Sequence, residues 1–549
     1  MAWGQRDNER ILDKYAFYSY KPGFDSDTPP EGSWLAPMWI GSHRRRLAAY
    51  VENIQKITGT SRWSLLAPDA ETLALRNEQH EHGEAHLIWK SIVSALLGER
   101  LEIGAPDEDA PPDVYMDWAK KWSKKTFAER KLRGAEGHAV GQGDGVLVLG
   151  WDELTGRASM RVEPPEFYFP VLEDFTHEFP LIVHLAWELE PDDLHPAKRK
   201  VRRITYELVK LEDDNGTIRQ IQYPWNAGAS EFTCLWSDGV WELGEKVSVE
   251  DLERGQATWN LTPSGVPIDR VDLKIDFIPV VHIPNTISEG EHFGDSSLAP
   301  VQQLLDEIAS ANTDLAKGAA IAGFPPLASE GGAFSEVAGV IPSYGPGTVF
   351  SGKLTSVDTS AGLKVLMEYV TFLLKELNTN VRVPEVLLGR VDPSGAPSGV
   401  AIRLMFTQMK MMIDEMRLIR AEKYPLIFKF AARFEMANGT LAATTEWPEI
   451  TFIPGQFIPT DLGGIITAVT TAFAAKVISL ETAITMLIDA GMPIESVEDE
   501  IKAIQQRDFA GAAQVGLALG SDEAAAEHLG RPVPARTTTE VLPDDSQVE

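Results

Sequence analysis

The sequence changes character near its middle, and this change constrains the fold more than any single motif does. Thirteen of the fourteen tryptophans lie before residue 260, while nine of the thirteen methionines lie after residue 360. From about Gly145, β-rich runs alternate with turn dipeptides, whereas apolar residues in the second half recur at three- and four-residue steps. The pattern predicts an α+β protein, in which a mixed α/β part with antiparallel strands precedes several long helices.

Composition and charge limit the class of protein. The chain has 549 residues, is 44% hydrophobic and contains one cysteine, Cys234, so we expect a large core, more than one domain and no multi-cysteine metal site. The N-terminus lacks the pattern of a signal peptide, and the longest apolar run, 463–475, is too short for a bilayer, so we expect no export and no membrane insertion. A net charge of −31 argues against a protein whose main task is to grip nucleic acid, although acidity also serves solubility alone.

Helical spacing in the first half predicts helices over 42–57 and 86–101. Three dipeptides that tolerate positive φ predict hairpin turns in a meandering antiparallel sheet that extends to about residue 285. They are Thr155-Gly156, Asn215-Gly216 and Asp238-Gly239.

Three long helices are predicted in the second half. The first begins at Ser296 or Ser297, and the second begins near Gly362. The third begins near Val400, and Pro425 should kink it. The packing stripes of the first two helices are Val301, Leu305, Ile308 and Leu315, and then Leu363, Leu366, Val370, Leu373 and Leu377. The stripe of the third is Met405, Met409, Met412 and Met416, for which ordinary core packing is a sufficient explanation.

No motif indicates an active site. The glycine-rich run 141–145 precedes a predicted strand, whereas a phosphate loop leads into a helix N-terminus. His82 and His86 are one helical turn apart, but Gly83 stands where a zinc protease has its glutamate. The run 395–399 matches neither a nucleophile elbow nor a P-loop. We therefore predict no catalytic residue, no metal site, no cofactor and no enzymatic activity.

Two stretches carry a family resemblance through their order and spacing. An apolar strand in "FIPVVHIPNTISEGEHFGDSSLAPVQQLLDEIASANTDLA" leads into Gly294–Leu298 and a long helix, and "VPEVLLGRVDPSGAPSGVAIRLMFTQMKMMIDEM" places Pro397–Ala401 before the longest helix. Together with the strand, turn and strand from Gly143, this order resembles the portal proteins of tailed bacteriophages over roughly residues 30 to 510. The resemblance implies a portal fold, with a mixed α/β wing, a helical stem, a small α/β clip and a helical crown, in a ring oligomer.

The resemblance also implies a division of the chain. The expected parts are an N-terminal arm (1–29), the first part of the wing (30–290), a stem helix (291–323), the clip (324–361), a second stem helix (362–383), a tunnel loop (384–399), a long kinked wing helix with a return strand (400–455), the crown (456–530) and a tail of disorder-prone composition (531–549). The residues expected to face DNA are Leu388, Gly389, Arg390, Val391, Asp392, Pro393, Ser394 and Gly395.

A portal would form the ring at a unique capsid vertex, through which a terminase motor packages double-stranded DNA and through which that DNA is later ejected. The implied partners are further copies of the chain, DNA contacted without sequence specificity, the large terminase subunit, a head-completion adaptor, and the major capsid and scaffolding proteins. The resemblance implies a dodecamer in the virion, assembled in the host cytoplasm, although nothing in the residues themselves fixes the subunit number. Another phage capsid or connector protein, or an enzyme with an unrecognised site, are the alternatives.

Overall fold

The structure of the protein is a computed structural model. It describes residues 9–10, 42–58, 83–105, 113–171, 179–189, 200–212, 217–242, 254–262, 265–286, 292–323, 327–330, 353–356, 360–389, 404–457, 462–490, 492, 494 and 496–507. These residues form a mixed α+β structure with two compact units, Met1–Phe457 and Ile458–Glu549. None of the helices in the described ranges combines the length and hydropathy needed to cross a bilayer.

The elements are numbered in chain order. The strands are β1 (Glu9–Arg10), β2 (Leu101–Gly104), β3 (Asp144–Asp152), β4 (Arg157–Glu163), β5 (Tyr168–Val171), β6 (Ile182–Leu189), β7 (Lys200–Lys210), β8 (Phe232–Glu242), β9 (Thr258–Trp259), β10 (Val271–Asp272), β11 (Val280–Pro284), β12 (Leu327–Glu330), β13 (Lys353–Ser356) and β14 (Thr451–Pro454). The helices are α1 (Ser42–Thr58), α2 (Glu84–Leu97), α3 (Asp113–Thr126), α4 (Ala128–Gln142), α5 (Gln302–Gly323), α6 (Ser360–Val381), α7 (Thr407–Ala437), α8 (Leu462–Ala474) and α9 (Leu480–Asp489).

An antiparallel sheet of seven strands forms much of the first unit. Its order is β1-β6-β7-β8-β10, with β5 also paired to β6 and β9 to β8. Trp187 on β6 and Trp241 on β8 are almost completely buried, and the guanidinium groups of Arg202 and Arg203 lie 5.3 and 4.7 Å from their rings. The predicted meandering antiparallel sheet is therefore confirmed, and part of its tryptophan content forms its core.

A second sheet, in the order β11-β3-β4, lies against helices α4 and α7. Four successive residues of β3, Val146 to Leu149, are at most 2% exposed, which requires both faces of the strand to be covered. The turn between β3 and β4 contains Gly156 at φ +60°, so the hairpin predicted at Thr155-Gly156 is confirmed.

The prediction of a turn at Asp238-Gly239 is wrong, because β8 continues straight through both residues. The Asp238 carboxylate is buried and accepts hydrogen bonds from Arg202 at 2.7 Å and Asn260 at 2.8 Å. A Cβ on Gly239 would lie 2.9 Å from the ring of Trp241. Asp238 thus forms an ion pair with the half-buried Arg202, and Gly239 allows a close approach of Trp241, both inside a strand. The other predicted turn, Asn215-Gly216, lies outside the described residues.

The predicted helices are present, with shifted boundaries. The first is α1, and the second, α2, ends at Leu97, after which Gly98 adopts φ +70° and the predicted last residue, Leu101, begins β2. Helices α3 and α4 were not predicted. After a single 3-10 turn, α5 begins at Gln302, and α6 begins at Ser360. Helix α7 runs for 31 residues through Pro425, whose predicted kink remains a prediction.

Two smaller pairings complete the first unit. Strands β12 and β13 form an antiparallel ribbon that lies between α5 and α6 in sequence. Strand β14, which follows α7, pairs with β2 from the first part of the chain. In the second unit, α8 packs against α9, and residues 497–507 are also helical. Most of the expected arm, clip and tail, and the expected crown after residue 507, lie outside the described residues.

Candidate functional site: a helical hairpin and its buried junction

Helices α5 and α6 form an antiparallel pair, here called the hairpin. A Cβ on Gly318 would lie 2.8 Å from a methyl group of Leu363, and the Tyr369 hydroxyl donates to Glu307 at 3.1 Å. Later positions on α5 thus meet earlier positions on α6. Each helix has 22 residues, which corresponds to a length of about 33 Å. The hairpin is therefore a long element with a β-ribbon between its two helices in sequence.

The predicted packing residues of the hairpin differ in burial along its length. Val301, Leu305, Ile308, Val370, Leu373 and Leu377 are all at most 9% exposed. Leu315, Leu363 and Leu366 are half-buried. The two stripes therefore cover each other well where α5 begins and α6 ends, and less well towards the ribbon.

A second apolar stripe on α6 is only partly covered by the described residues. Val365, Tyr369 and Phe372 follow one another at four- and three-residue steps, which places them on one side of the helix. Their exposed fractions are 65%, 41% and 54%. An apolar row of this length on a helix is typical of a surface that another chain covers.

Helix α7 also has two apolar sides. Met409, Ile413 and Met416 are at most 5% exposed, whereas Met411 and Leu418 are 67% and 65% exposed. Leu404, just before the helix, continues the outer row at the same seven-residue step and is 70% exposed.

The predicted methionine stripe is thus buried only in part. Met409 and Met416 are buried, Met412 is half-buried and Met405 is 47% exposed. Ile413 takes the central buried position, because the buried side of the helix passes through residues 409, 413 and 416.

The predicted tunnel loop is described only at its start. After α6 ends, three successive backbone hydrogen bonds form consecutive turns. The last of these bonds runs from the Gly389 amide to the Val386 carbonyl at 3.3 Å. Leu388 is half-buried, while Gly389 is exposed and adopts φ +70°. Arg390, Val391, Asp392, Pro393, Ser394 and Gly395 lie outside the described residues.

Two sequence motifs meet where the hairpin joins the sheet of β3, a place called here the junction. Gly143 adopts φ +120°, and a Cβ on it would lie 2.3 Å from the carbonyl oxygen of Gly294. The Ser296 hydroxyl donates to Gly141 at 2.7 Å, and the Ser297 amide donates to Val140 at 3.0 Å. The glycine-rich run 141–145 therefore binds backbone rather than phosphate, as a helix-to-strand turn against the segment before α5.

Asp144, the first residue of β3, is the centre of the junction. Its buried carboxylate accepts hydrogen bonds from the Tyr50 hydroxyl, from His282 Nε2 at 2.7 Å and from the Gly294 amide at 3.0 Å. Burial, and then the charge of Asp144, raise the pKa of Tyr50, so its hydroxyl stays protonated and donates. Helix α1, strand β11 and the approach to α5 are thus fixed to one carboxylate.

An ion pair lies on the α7 side of the junction. Arg420 on α7 is 1% exposed, and its Nη2 donates to Glu136 Oε2 on α4 at 2.8 Å. The Tyr424 hydroxyl donates to the other oxygen of Glu136 at 2.8 Å, and Arg420 Nη1 also donates to the carbonyl of Asn285 at 3.1 Å. The pair connects α7, α4 and the residue after β11 inside the core.

One buried carboxyl group has a strongly altered affinity for protons. Glu166, in the 3-10 helix Pro165–Phe167, is completely buried and accepts one hydrogen bond, from Gln142 at 2.7 Å. Burial raises its pKa to about 7, because a desolvated carboxylate is disfavoured.

The buried polar groups of this region connect helices and strands to one another. Asp144 and Glu136 receive all the donors named above from their own chain, and both are fully buried, so neither faces a substrate. Within the described ranges, no group of three His, Cys, Asp or Glu side chains is arranged to hold a metal ion. His86, one of the two histidines of the rejected metal motif, is exposed and its ring centre lies 5.3 Å from that of Trp89, and His82 lies outside the described residues.

The junction could hardly be predicted from the sequence. Asp144 belongs to a motif that was considered for phosphate, but its partners lie 94 and 138 residues away in the chain. Glu136 and Arg420 are separated by 284 residues. Glu136 lies on α4, which was not predicted, and Arg420 lies on α7, which was, and neither differs in the sequence from other charged residues on a helix. Only the two glycines that approach each other carried a readable signal.

Comparison with known proteins does not identify the chain, since no protein-family model and no curated protein matches its sequence.

Proposed function

We propose that this protein is a portal protein, a ring subunit through which double-stranded DNA enters and leaves the capsid of a tailed bacteriophage. The order of parts supports the proposal: an α/β body, the hairpin with a β-ribbon between its helices, a long helix and then a helical second unit. This is the order that the motif resemblance implies for wing, stem, clip and crown.

The observation that carries the proposal is the uncovered apolar surface of the two long helices. The outer rows on α6 and on α7 are each about half to two-thirds exposed in a single chain. In a ring, every subunit has a neighbour on each side. The inner apolar stripe of each helix would pack within its own subunit, and the outer stripe would pack against a neighbouring subunit. A monomer would leave these rows in water.

The junction supports the same role mechanically. A channel subunit must hold its lining element at a fixed angle while DNA moves past it. The hairpin begins at a segment bound through Asp144, Gly143 and Ser296, and such buried, fully bonded polar groups favour one arrangement over others.

The net negative charge of the chain suits a channel through which DNA passes better than a surface that binds DNA. At −31, the protein repels a phosphate backbone over distances of the order of the Debye length, about 8 Å in physiological salt. In the proposed loop, the opposite charges of Arg390 and Asp392 cancel, so DNA would slide past without being bound. The β-ribbon end of the hairpin would contact the terminase and then the head-completion adaptor.

Deletion of Arg390 to Ser394 tests the loop assignment. Because the cost of loop closure depends only weakly on length, the variant should still assemble, with the same sedimentation coefficient as the wild type. Packaging and retention of DNA in the presence of the motor should fall, since the narrowest part of the channel is altered in every subunit. Normal packaging by an intact ring would show that the segment is a plain connector.

A further inference from the structure

A dense basic surface lies on this acidic chain, and neither the junction nor the proposed channel makes use of it. Residues 120–133 contain seven basic side chains and one acidic one, a charge of +6 in a protein of −31. They span the end of α3 and the start of α4, and six of the seven are exposed. The surface, called here the basic patch, consists of Lys120, Lys121, Lys124, Lys125, Arg130, Lys131 and Arg133.

Most of this charge is not neutralised. Lys121 and Arg133 have acidic neighbours one helical turn away, but both distances are 3.8 Å and all four side chains are substantially exposed. Among the described residues, no carboxylate lies within ion-pair distance of Lys120, Lys124 or Lys125. The favourable interaction of a positive charge with the C-terminal end of a helix explains the presence of Lys124 and Lys125 on α3. It does not explain the other basic residues of the patch.

The cations also crowd one another. Burial, and then the positive charges of Arg130 and Arg157, lower the pKa of Lys131. Arg157 begins β4, so it brings an eighth positive charge to the patch from a different element. Like charges brought together from two elements, α4 and β4, are costly unless an anion offsets them.

Exposed apolar side chains lie on or beside the same elements as the basic side chains. Phe127, between α3 and α4, is 61% exposed and adopts φ +55°, a left-handed conformation that is strained for a residue with a side chain. The guanidinium of Arg130 lies 5.1 Å from the centre of its ring. Val114 on α3 and Leu154, in the turn before Arg157, are 67% and 87% exposed. A strained backbone that presents an aromatic ring to solvent is a feature of binding surfaces.

The choice of partner follows from the mixture of charge and apolar surface. A DNA duplex carries one negative charge per about 1.7 Å, so it would extend past the patch onto the acidic remainder of the chain. It would also gain little from Phe127 or Leu154. A short acidic peptide segment fits within the patch, where screening limits repulsion from beyond about 8 Å.

We propose that the basic patch is a docking site for an acidic segment of another polypeptide that also carries aromatic or aliphatic side chains. Its carboxylates would contact Lys124, Lys125 and Arg130, and one large apolar side chain would cover Phe127. The site lies on the body of the first unit, so the proposal holds whether or not the chain forms a ring.

The test uses three fluorescent probes. They are the peptide Glu-Glu-Leu-Glu-Glu-Phe-Glu-Glu, its equally charged counterpart with serine in place of leucine and phenylalanine, and a short DNA duplex. The wild-type protein should bind the apolar-containing peptide most tightly, the serine peptide less tightly and the duplex least. Binding of all three should weaken as salt rises from about 0.05 to about 0.5 M.

Two variants locate the site. Lys124→Glu/Lys125→Glu should weaken both peptides by about tenfold or more, whereas the matched exposed pair Arg219→Glu/Lys274→Glu should leave them unchanged. Phe127→Ala should weaken only the apolar-containing peptide. If the glutamate pair unfolds the protein, Lys124→Gln/Lys125→Gln should still weaken both peptides.

Three results would overturn the proposal: no binding of either peptide by the wild type, equal binding by the wild type and the glutamate or glutamine pair, or tighter binding of the duplex than of the apolar-containing peptide. The last result would assign the patch to nucleic acid. A fourth result, equal loss of both peptides in Phe127→Ala, would also contradict it, because that would show a general structural effect.

Discussion

Replacing Phe372 with aspartate should abolish assembly while leaving the subunit folded. Phe372 is 54% exposed in a single chain, and an aromatic side chain buries roughly 200 Å² when fully covered, so a neighbour would cover about 100 Å². At about 25 cal/mol per Å², this is about 2.5 kcal/mol for each interface, and a buried, unpaired carboxylate adds at least about 1 kcal/mol. The expected loss is thus more than a hundredfold in affinity at every interface of the proposed ring.

Mass photometry and sedimentation velocity at micromolar concentration measure the effect. The wild type should sediment as a large oligomer and Phe372→Asp as a monomer with unchanged circular dichroism. Leu261→Asp is the matched control, because Leu261 is 63% exposed and follows β9 in the chain, so it belongs to neither α6 nor α7. It should assemble normally. Assembly of Phe372→Asp at the same concentration as the wild type would refute the argument from the outer stripe.

Three further predictions concern the junction and its surroundings. Arg420→Met leaves Glu136 charged and buried, so chemical denaturation should show a loss of about 3 to 5 kcal/mol, and adding Glu136→Leu should restore much of it; no recovery in the double variant would contradict the ion-pair explanation. For Glu166, the folded pKa of about 7 exceeds the ordinary 4.5, so the carboxyl group's favourable contribution to stability is complete below about pH 4.5 and is lost as pH rises through about 7. Glu166→Gln should therefore raise the melting temperature relative to wild type at about pH 8 but not at about pH 4.5, and an equal effect at both pH values would show that the group does not titrate there. Gly143→Ala should lower the melting temperature and increase hydrogen exchange at the start of α5, because its Cβ would lie 2.3 Å from Gly294; unaltered exchange would show that the turn adapts.

Local periodicity was enough to predict the long helices. Both packing stripes of the hairpin are arranged at helical spacing, and six of their nine members are nearly buried. Such stripes are readable because a helix brings residues three and four apart to one side whatever surrounds it. The outer row of α6 was not predicted, because Val365, Tyr369 and Phe372 look like the edge of the same stripe in a one-dimensional pattern.

Long-range polar contacts were beyond the sequence. Asp238-Gly239 has the composition of a tight turn, yet Arg202 and Asn260 hold Asp238 inside a strand. Asp144 could be read as part of a phosphate loop, because its partners Tyr50 and His282 come from distant parts of the chain. A dipeptide or a glycine run indicates which backbone conformations are permitted, while the tertiary partners decide which one is used.

Electron microscopy of the purified protein in negative stain tests the central claim most directly. If the chain is a portal subunit, particles seen end-on should be rings of identical subunits around an open centre wide enough for a DNA duplex. Side views should show a narrow stalk formed by the paired hairpins. Compact particles without a central opening, or monomers at micromolar concentration, would contradict the account.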